Sequence, residues 1–184
     1  MKIAFFSDIH GVAANLKLFY EKADAAGAGH LVLLGDALYH GPRNGVPGGY
    51  DPIAVRDLLN ARADSITAVR GNCDADVDQM MLNFPILAEF SQIITDSYKI
   101  FLTHGHVWNP DNMPPISSGW IFAQGHTHVP VAQKNEKGIV LFNPGSISLP
   151  KQNFPKSYGL LDQDTLSVIA LETDEVIMTL NLAQ

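Results

Sequence analysis

A chain of 184 residues, 46% hydrophobic and 17% charged, is long enough to bury a sizeable core and too apolar to remain disordered, so one domain over residues 1–184 is expected. Its net charge of −7 argues against a general nucleic-acid binder, whose affinity comes from clustered Lys and Arg. No stretch approaches the ~20 apolar residues of a membrane span.

The apolar run Ile3 to Phe6 stops at Ser7-Asp8 and reads as a buried strand. It is too short for a signal peptide. With Cys73 the single cysteine, a reducing, cytoplasmic setting is expected. Residues Val12 to Ala26 carry Ala13, Leu16, Phe19, Tyr20 and Ala23 at helical spacing, and Gly27 is the stop. His30 to Leu34 is a second strand, closed by Gly35-Asp36. Strand, helix and strand over some thirty residues make a right-handed βαβ unit. Leu38 to Pro52 is a loop rich in Gly and Pro, Pro52 opens a helix to about Ala63, and Ile66 to Arg70 is a third strand before Gly71-Asn72. Beyond Phe84, short β-rich runs follow at Ile93-Ile94, Lys99 to Thr103, Trp120 to Gln124, Ile139 to Phe142, Tyr158 to Leu161, Leu166 to Leu171 and Val176 to Leu180. The segment Trp108 to Trp120 is a proline-containing loop. An α/β first half and a mostly β second half fit two face-to-face sheets with helices outside.

Five segments follow predicted strands: Asp8-Ile9-His10, Gly35-Asp36, Gly71-Asn72-Cys73-Asp74, His104-Gly105-His106 and Gly125-His126-Thr127-His128. Ligand sites in open α/β sheets lie beyond the carboxyl ends of strands, so these segments can meet at one edge. Asp8, Asp36 and Asn72 offer oxygen; His10, His104, His126 and His128 offer nitrogen. Such mixed ligation suits Mn, Fe, Zn, Co or Ni. Seven ligands exceed the need of one ion and suit two that share a carboxylate. Singly, each feature is ordinary: Asp8 alone reads as a helix cap, and His30 and His40 read as structural. No common structural role asks for the five segments together.

This set, Asp-x-His, Gly-Asp, Gly-Asn, His with Gly, and Gly-His-x-His, resembles the calcineurin-like metallophosphoesterase superfamily along essentially the whole chain. The stretches Gly35-Asp36 to Asn44, Ala68 to Met80, Phe101 to His106, Gly125 to Val131 and Phe142 to Ser146 look like YfcE-type bacterial phosphodiesterases. The resemblance implies a four-layer α/β/β/α sandwich of two mixed sheets flanked by helices. It implies that Asp8, His10 and His128 hold one metal, that Asn72, His104 and His126 hold a second, and that Asp36 bridges them. Two divalent ions, Mn²⁺ first and Zn²⁺, Fe, Ni²⁺ or Co²⁺ otherwise, would serve phosphodiester hydrolysis by a dimetal-bound hydroxide on a small diester substrate. Asp36, Asn72 and Cys73 form the expected catalytic set, and Arg43 with Asn72 the substrate contacts. The alternatives are a phosphomonoesterase or nucleotide hydrolase, and a non-catalytic interaction scaffold of the same fold. A homo-oligomer is also implied.

The sequence departs from the superfamily pattern at Cys73, where many members place a histidine that protonates the leaving group. A thiol of ordinary pKa is a poor proton donor at pH 7, so good leaving groups are expected to be favoured; a small buried residue with no chemistry is the other reading. Arg43 is either a phosphate clamp or a solvated loop arginine, and Arg70 either points the same way or supports its strand. Asp74 and the Asn143-Pro144-Gly145-Ser146 turn are candidate acceptors for the second N–H of ligand histidines. His106 stands either behind the ligands or in a structural hydrogen bond.

Overall fold

The structure, a computed structural model, describes residues 2–183. Its first strand, β1 (Ile3–Phe6), is buried at all four residues, as a strand covered on both faces must be. The chain continues through α1 (Ala13–Ala25), β2 (His30–Leu33), α2 (Pro52–Asn60), β3 (Ile66–Ala68) and α3 (Asp76–Met81). The second half contributes β4 (Phe90–Ile94), β5 (Lys99–Thr103), β6 (Trp120–Ala123), β7 (Val131–Lys134), β8 (Val140–Asn143), β9 (Ser157–Asp162), β10 (Thr165–Ala170) and β11 (Val176–Asn181).

Local chemistry explains the helix ends. The buried face of α1 is Ala13, Leu16, Phe19, Tyr20 and Ala23, the stripe its spacing predicts. It closes where Gly27 takes φ +71° and Ala28 N–H donates to the Ala23 carbonyl, a glycine stop. In α2, Pro52 occupies the first turn and the Asp51 carboxylate accepts from Ala54 N–H at 2.9 Å. This helix ends at Asn60, short of the expected Ala63, and a 3-10 turn over Ala63–Ser65 leads into β3. Two elements were not expected. One is α3, whose six residues are too few to display a helical period; Asp78 Oδ2 accepting from Ala75 N–H at 2.7 Å stabilises its first turn. The other is β7, which carries little apolar alternation and forms as the antiparallel edge partner of β8.

Six strands form one sheet in the order β11-β10-β9-β1-β2-β3, and five form the other in the order β4-β5-β6-β8-β7. Both are mixed: β1, β2 and β3 run parallel, as do β5, β6 and β8, with antiparallel strands at the flanks. Alternate residues of each strand divide between two cores. Ile3, Phe5, Val32, Leu102, Ile121, Phe142 and Val168 fill the space between the sheets. Ala4, Phe6, Leu31 and Leu33 face the other way, onto Leu16, Phe19, Val55 and Leu59 of α1 and α2. The outer face of the second sheet, with Phe101, Phe122 and Leu141, is covered by Trp108, Met113 and Ile116. That outer layer is therefore the proline-containing loop; among the described residues no helix lies there. No described helix is long and apolar enough to cross a membrane.

The carboxyl ends of β1, β2, β3, β5 and β6 deliver Asp8, Asp36, Asn72, His104 and His126 to one edge of the sandwich. Parallel strands in each sheet make this possible, because all their carboxyl ends emerge on the same side.

Candidate metal centre

The five predicted segments converge. Asp36 Oδ2 lies 3.8 Å from His10 Nε2 on one side and 3.6 Å from His104 Nε2 on the other. Around the first, Asp8 Oδ1 is 3.7 Å from His10 Nε2 and 3.2 Å from His128 Nε2, and the two ring nitrogens are 3.4 Å apart. Around the second, His104 Nε2 is 3.1 Å from Asn72 Oδ1 and 3.2 Å from His126 Nδ1. Every residue expected to bind metal is within this cluster. His30 bonds to Thr67 and His40 packs between Tyr39 and Tyr50, both outside it, as expected.

The backbone is strained here to aim these side chains. Among the described residues, nine non-glycine positions have positive φ, and five of them are Asp8, His10, Asp36, His126 and His128. Each costs roughly 1–2 kcal/mol relative to a relaxed conformation. Such strain persists only where the surroundings enforce it. Enforcement comes from buried polar anchors. Asp74 Oδ2 accepts from Asp36 N–H at 2.8 Å and Gly71 N–H at 2.7 Å, and its Oδ1 accepts from Ala37 N–H at 2.9 Å. Ser146 Oγ donates to the Asp8 carbonyl at 2.9 Å, and Asn143 Nδ2 to the Gly125 carbonyl at 2.8 Å.

These anchors correct one expectation. Asp74 and the Asn143–Ser146 turn hold backbone, and they do not accept from the ligand histidines. Backbone carbonyls are nearer and take that role: His10 Nδ1 pairs with the Tyr39 carbonyl at 3.0 Å, His104 Nδ1 with the Leu34 carbonyl at 2.6 Å, and His128 Nδ1 with the Leu149 carbonyl. Donation from Nδ1 leaves each Nε2 lone pair facing the centre. Asp8 Oδ1 is fully buried there without a hydrogen bond of acceptable geometry. Lone pairs of oxygen and nitrogen converging at 3.2–3.8 Å repel unless a cation lies among them. Atoms bound at ~2.0–2.2 Å to a common ion stand ~3–4 Å from one another, so the residues present fit divalent metal.

The titration behaviour has the same origin. Burial acts to raise the Asp8 pKa, yet the His128 ring 3.2 Å away and the charges of His104, His128 and His10 hold it well below the ordinary carboxylate range. Burial acts to lower His128, and the Asp8 carboxylate raises it instead. His126 is pushed down to about 4 by burial and by His104, so its ring is neutral and able to ligate at pH 7.

The flanking glycines are required by close approach. A Cβ on Gly71 would stand 2.1 Å from Asp36 Oδ1, and one on Gly125 would stand 2.0 Å from Ser7 Oγ. Gly71→Ala is expected to displace Asp36, lower stability by about 1–3 kcal/mol and weaken metal binding at least tenfold. Thermal unfolding and metal titration by calorimetry check it, and wild-type affinity in a folded variant would overturn it.

The cluster opens into a cavity of about 260 Å³ lined by His10, Asp36, Arg43, Cys73, His126 and Lys151, among others. Arg43 thus stands at the mouth. Lys151, which no sequence motif marks, joins it as a second cation. Arg70 points elsewhere, its Nε donating to the Asp74 carbonyl at 3.3 Å. His106 is exposed, its ring 5.3 Å from that of His104. Cys73 N–H donates to Asp36 Oδ1 at 2.8 Å, and burial with Asp36 alongside pushes its thiol up to about 12.

Comparison with known proteins extends these observations. The model of the calcineurin-like phosphoesterase superfamily domain matches residues 1–166. The chain is 49% identical over 177 residues to the phosphodiesterase YfcE of Escherichia coli strain K12, covering 96% of each. It is similar to the solved structure of YfcE, a phosphoesterase from E. coli, with a TM-score of 0.96 and 47% identity over 99% of this chain and 100% of that one. Vps29 from Entamoeba histolytica, solved with Zn²⁺, shares the fold at a TM-score of 0.63 and 19% identity, covering 99% of each. The expected metallophosphoesterase fold is thus present.

Proposed function

The chain belongs to the calcineurin-like phosphoesterase superfamily, a family of hydrolases, and from that premise we propose that it is a metal-dependent phosphodiesterase acting on small diesters. One observation carries the reading: three histidine Nε2 atoms, His126 Nδ1, Asp8 Oδ1 and Asn72 Oδ1 converge around Asp36 with no internal partner able to satisfy them all. Asp8, His10 and His128 would hold one ion and Asn72, His104 and His126 a second, with Asp36 between them. Bound there, divalent cations would supply Lewis-acid polarisation and positive charge against the phosphate. The N/O donor set favours Mn²⁺ or a neighbouring transition metal over Ca²⁺. The 49% identity to the phosphodiesterase YfcE supports the diester assignment. A cytoplasmic setting is proposed with it.

The chain's own groups then divide the work. Arg43 and Lys151 at the mouth draw in and orient the phosphate, offsetting the net −7 of the whole chain. Cys73 fixes Asp36 through its peptide N–H. Its thiol keeps its proton at neutral pH, so it acts neither as a nucleophile nor as an effective acid, and substrates with good leaving groups are favoured. Asn72, exposed beside Cys73, stands where it can touch both an ion and the substrate.

Metal-stripped protein is expected to leave bis-p-nitrophenyl phosphate intact and to regain cleavage with Mn²⁺, with slower turnover of p-nitrophenyl phosphate. Protein that binds Mn²⁺, Ni²⁺, Co²⁺ or Zn²⁺ yet cleaves neither ester would point to the scaffold reading instead. Arg43→Ala and Lys151→Ala are each expected to raise KM about three- to tenfold, with kcat changed less, because both groups are solvent-exposed. Steady-state kinetics at two ionic strengths would check this, the effect shrinking at higher salt.

A further inference from the structure

Cys73 also lines a second cavity, a groove of about 360 Å³ walled by Leu38, Tyr39, Tyr50, Ile53, Val77 and Met81. Its walls come from the loop after β2, the start of α2 and the outer side of α3. Tyr39, Ile53 and Val77 are 41%, 51% and 60% exposed, an apolar patch directly beside the polar mouth of the metal cluster. Such a patch marks a binding surface. The charged groups bordering it are already partnered: Arg56 lies 2.6 Å from the Asp57 carboxylate, and Asp78 accepts from Ala75 N–H at 2.7 Å. Nothing else on the walls carries charge, so the groove selects an apolar occupant.

Continuity identifies that occupant. Cys73 has its peptide N–H on Asp36 and stands between the two cavities. A phosphate held in the first cavity by Arg43 and Lys151 would be separated from the groove only by Cys73, the residue that lines both. We propose that the groove is the subsite for an apolar aryl or alkyl arm of the diester, so that the enzyme selects diesters bearing at least one hydrophobic alcohol. This rests on the phosphodiesterase reading and names its substrate class.

The test is calorimetric titration of Mn²⁺-loaded protein with inorganic phosphate and then methyl, butyl and hexyl phosphate. Wild type is expected to bind more tightly by up to about fourfold per added methylene, the factor corresponding to ~0.8 kcal/mol per buried CH₂. Ile53→Asn and Val77→Asn, uncharged changes at positions more than half exposed and so tolerant of change, should flatten that dependence while leaving inorganic phosphate affinity unaltered. Val176→Asn, on the distant edge strand β11 and 55% exposed, should retain it. Phosphate binding and diester cleavage with no chain-length dependence would overturn the subsite alone. A dependence that survives both groove variants would also overturn it, as would a concentration-dependent dimer that Ile53→Asn abolishes, which would assign the face to a second copy. Failure to bind phosphate and to cleave any diester would overturn the underlying reading as well.

Discussion

Asp36→Asn is expected to reduce diester cleavage by at least 10²–10³-fold and to lower metal occupancy at both halves of the cluster together. The reason is positional. Among the described residues, Asp36 Oδ2 is the carboxylate oxygen that lies within 4 Å of both His10 and His104, at 3.8 and 3.6 Å, so neutralising it removes negative charge from both groups of donors. A loss of that size is typical when a directly acting electrostatic group is removed. The fold should survive, because the amide oxygen can still accept from Cys73 N–H as Oδ1 does at 2.8 Å. Metal content by mass spectrometry and far-UV circular dichroism separate the two effects. Wild-type turnover with two ions retained would remove Asp36 from its bridging position.

Asp74→Ala is expected to cost roughly 3–5 kcal/mol of stability and to abolish tight metal binding, although Asp74 touches no ligand side chain. Its carboxylate satisfies the backbone N–H groups of Asp36, Ala37 and Gly71 at 2.7–2.9 Å. Alanine leaves three buried donors unpaired, each costing about 1–3 kcal/mol, with part of that recovered by relaxation. Those donors flank Asp36 in its φ +58° conformation, so relaxation re-aims the bridging carboxylate. Burial, and then the nearby Asp36, push the Asp74 carboxyl up to about 6 from 3.8. For an acid whose folded pKa is raised, the associated stability is complete below 3.8 and is lost as pH rises through about 6. In metal-free protein, the stability gap between wild type and Asp74→Ala should therefore be wider at pH 5 than at pH 7. Denaturant unfolding at the two pH values checks the sign, and a gap that widens toward pH 7 would contradict this account of Asp74.

The parts legible in sequence were those whose signal is local. The βαβ unit announced itself because the apolar stripe of α1 and the runs of β1 and β2 lie within some thirty residues. The ligand set was equally legible, since each ligand sits in the few residues after its own strand, beside a glycine that lets backbones approach. Elements with weak internal patterning were not visible. The six-residue α3 rests on its local cap from Ala75 N–H to Asp78 and on Asn60 Nδ2 donating to the Met81 carbonyl, the edge strand β7 forms only on β8, and the loop over Trp108 and Met113 becomes a layer only by packing on Phe101 and Phe122.

Residue types and their order thus determined the family, the two-sheet architecture and which side chains gather at the site. Tertiary structure alone decided how they are held and what surrounds them. The carbonyls of Tyr39, Leu34 and Leu149 lie 29, 70 and 21 residues from the histidines they orient. Lys151 reaches the mouth from a loop with no motif, and the apolar groove is assembled from a loop and two helices. A hydrogen bond or a cavity wall depends on positions in space, and chain neighbours carry no record of a partner that far away. Ligand chemistry is written residue by residue; the strain, anchoring and shape that make it a site arise only when the parallel strands of both sheets end at one edge.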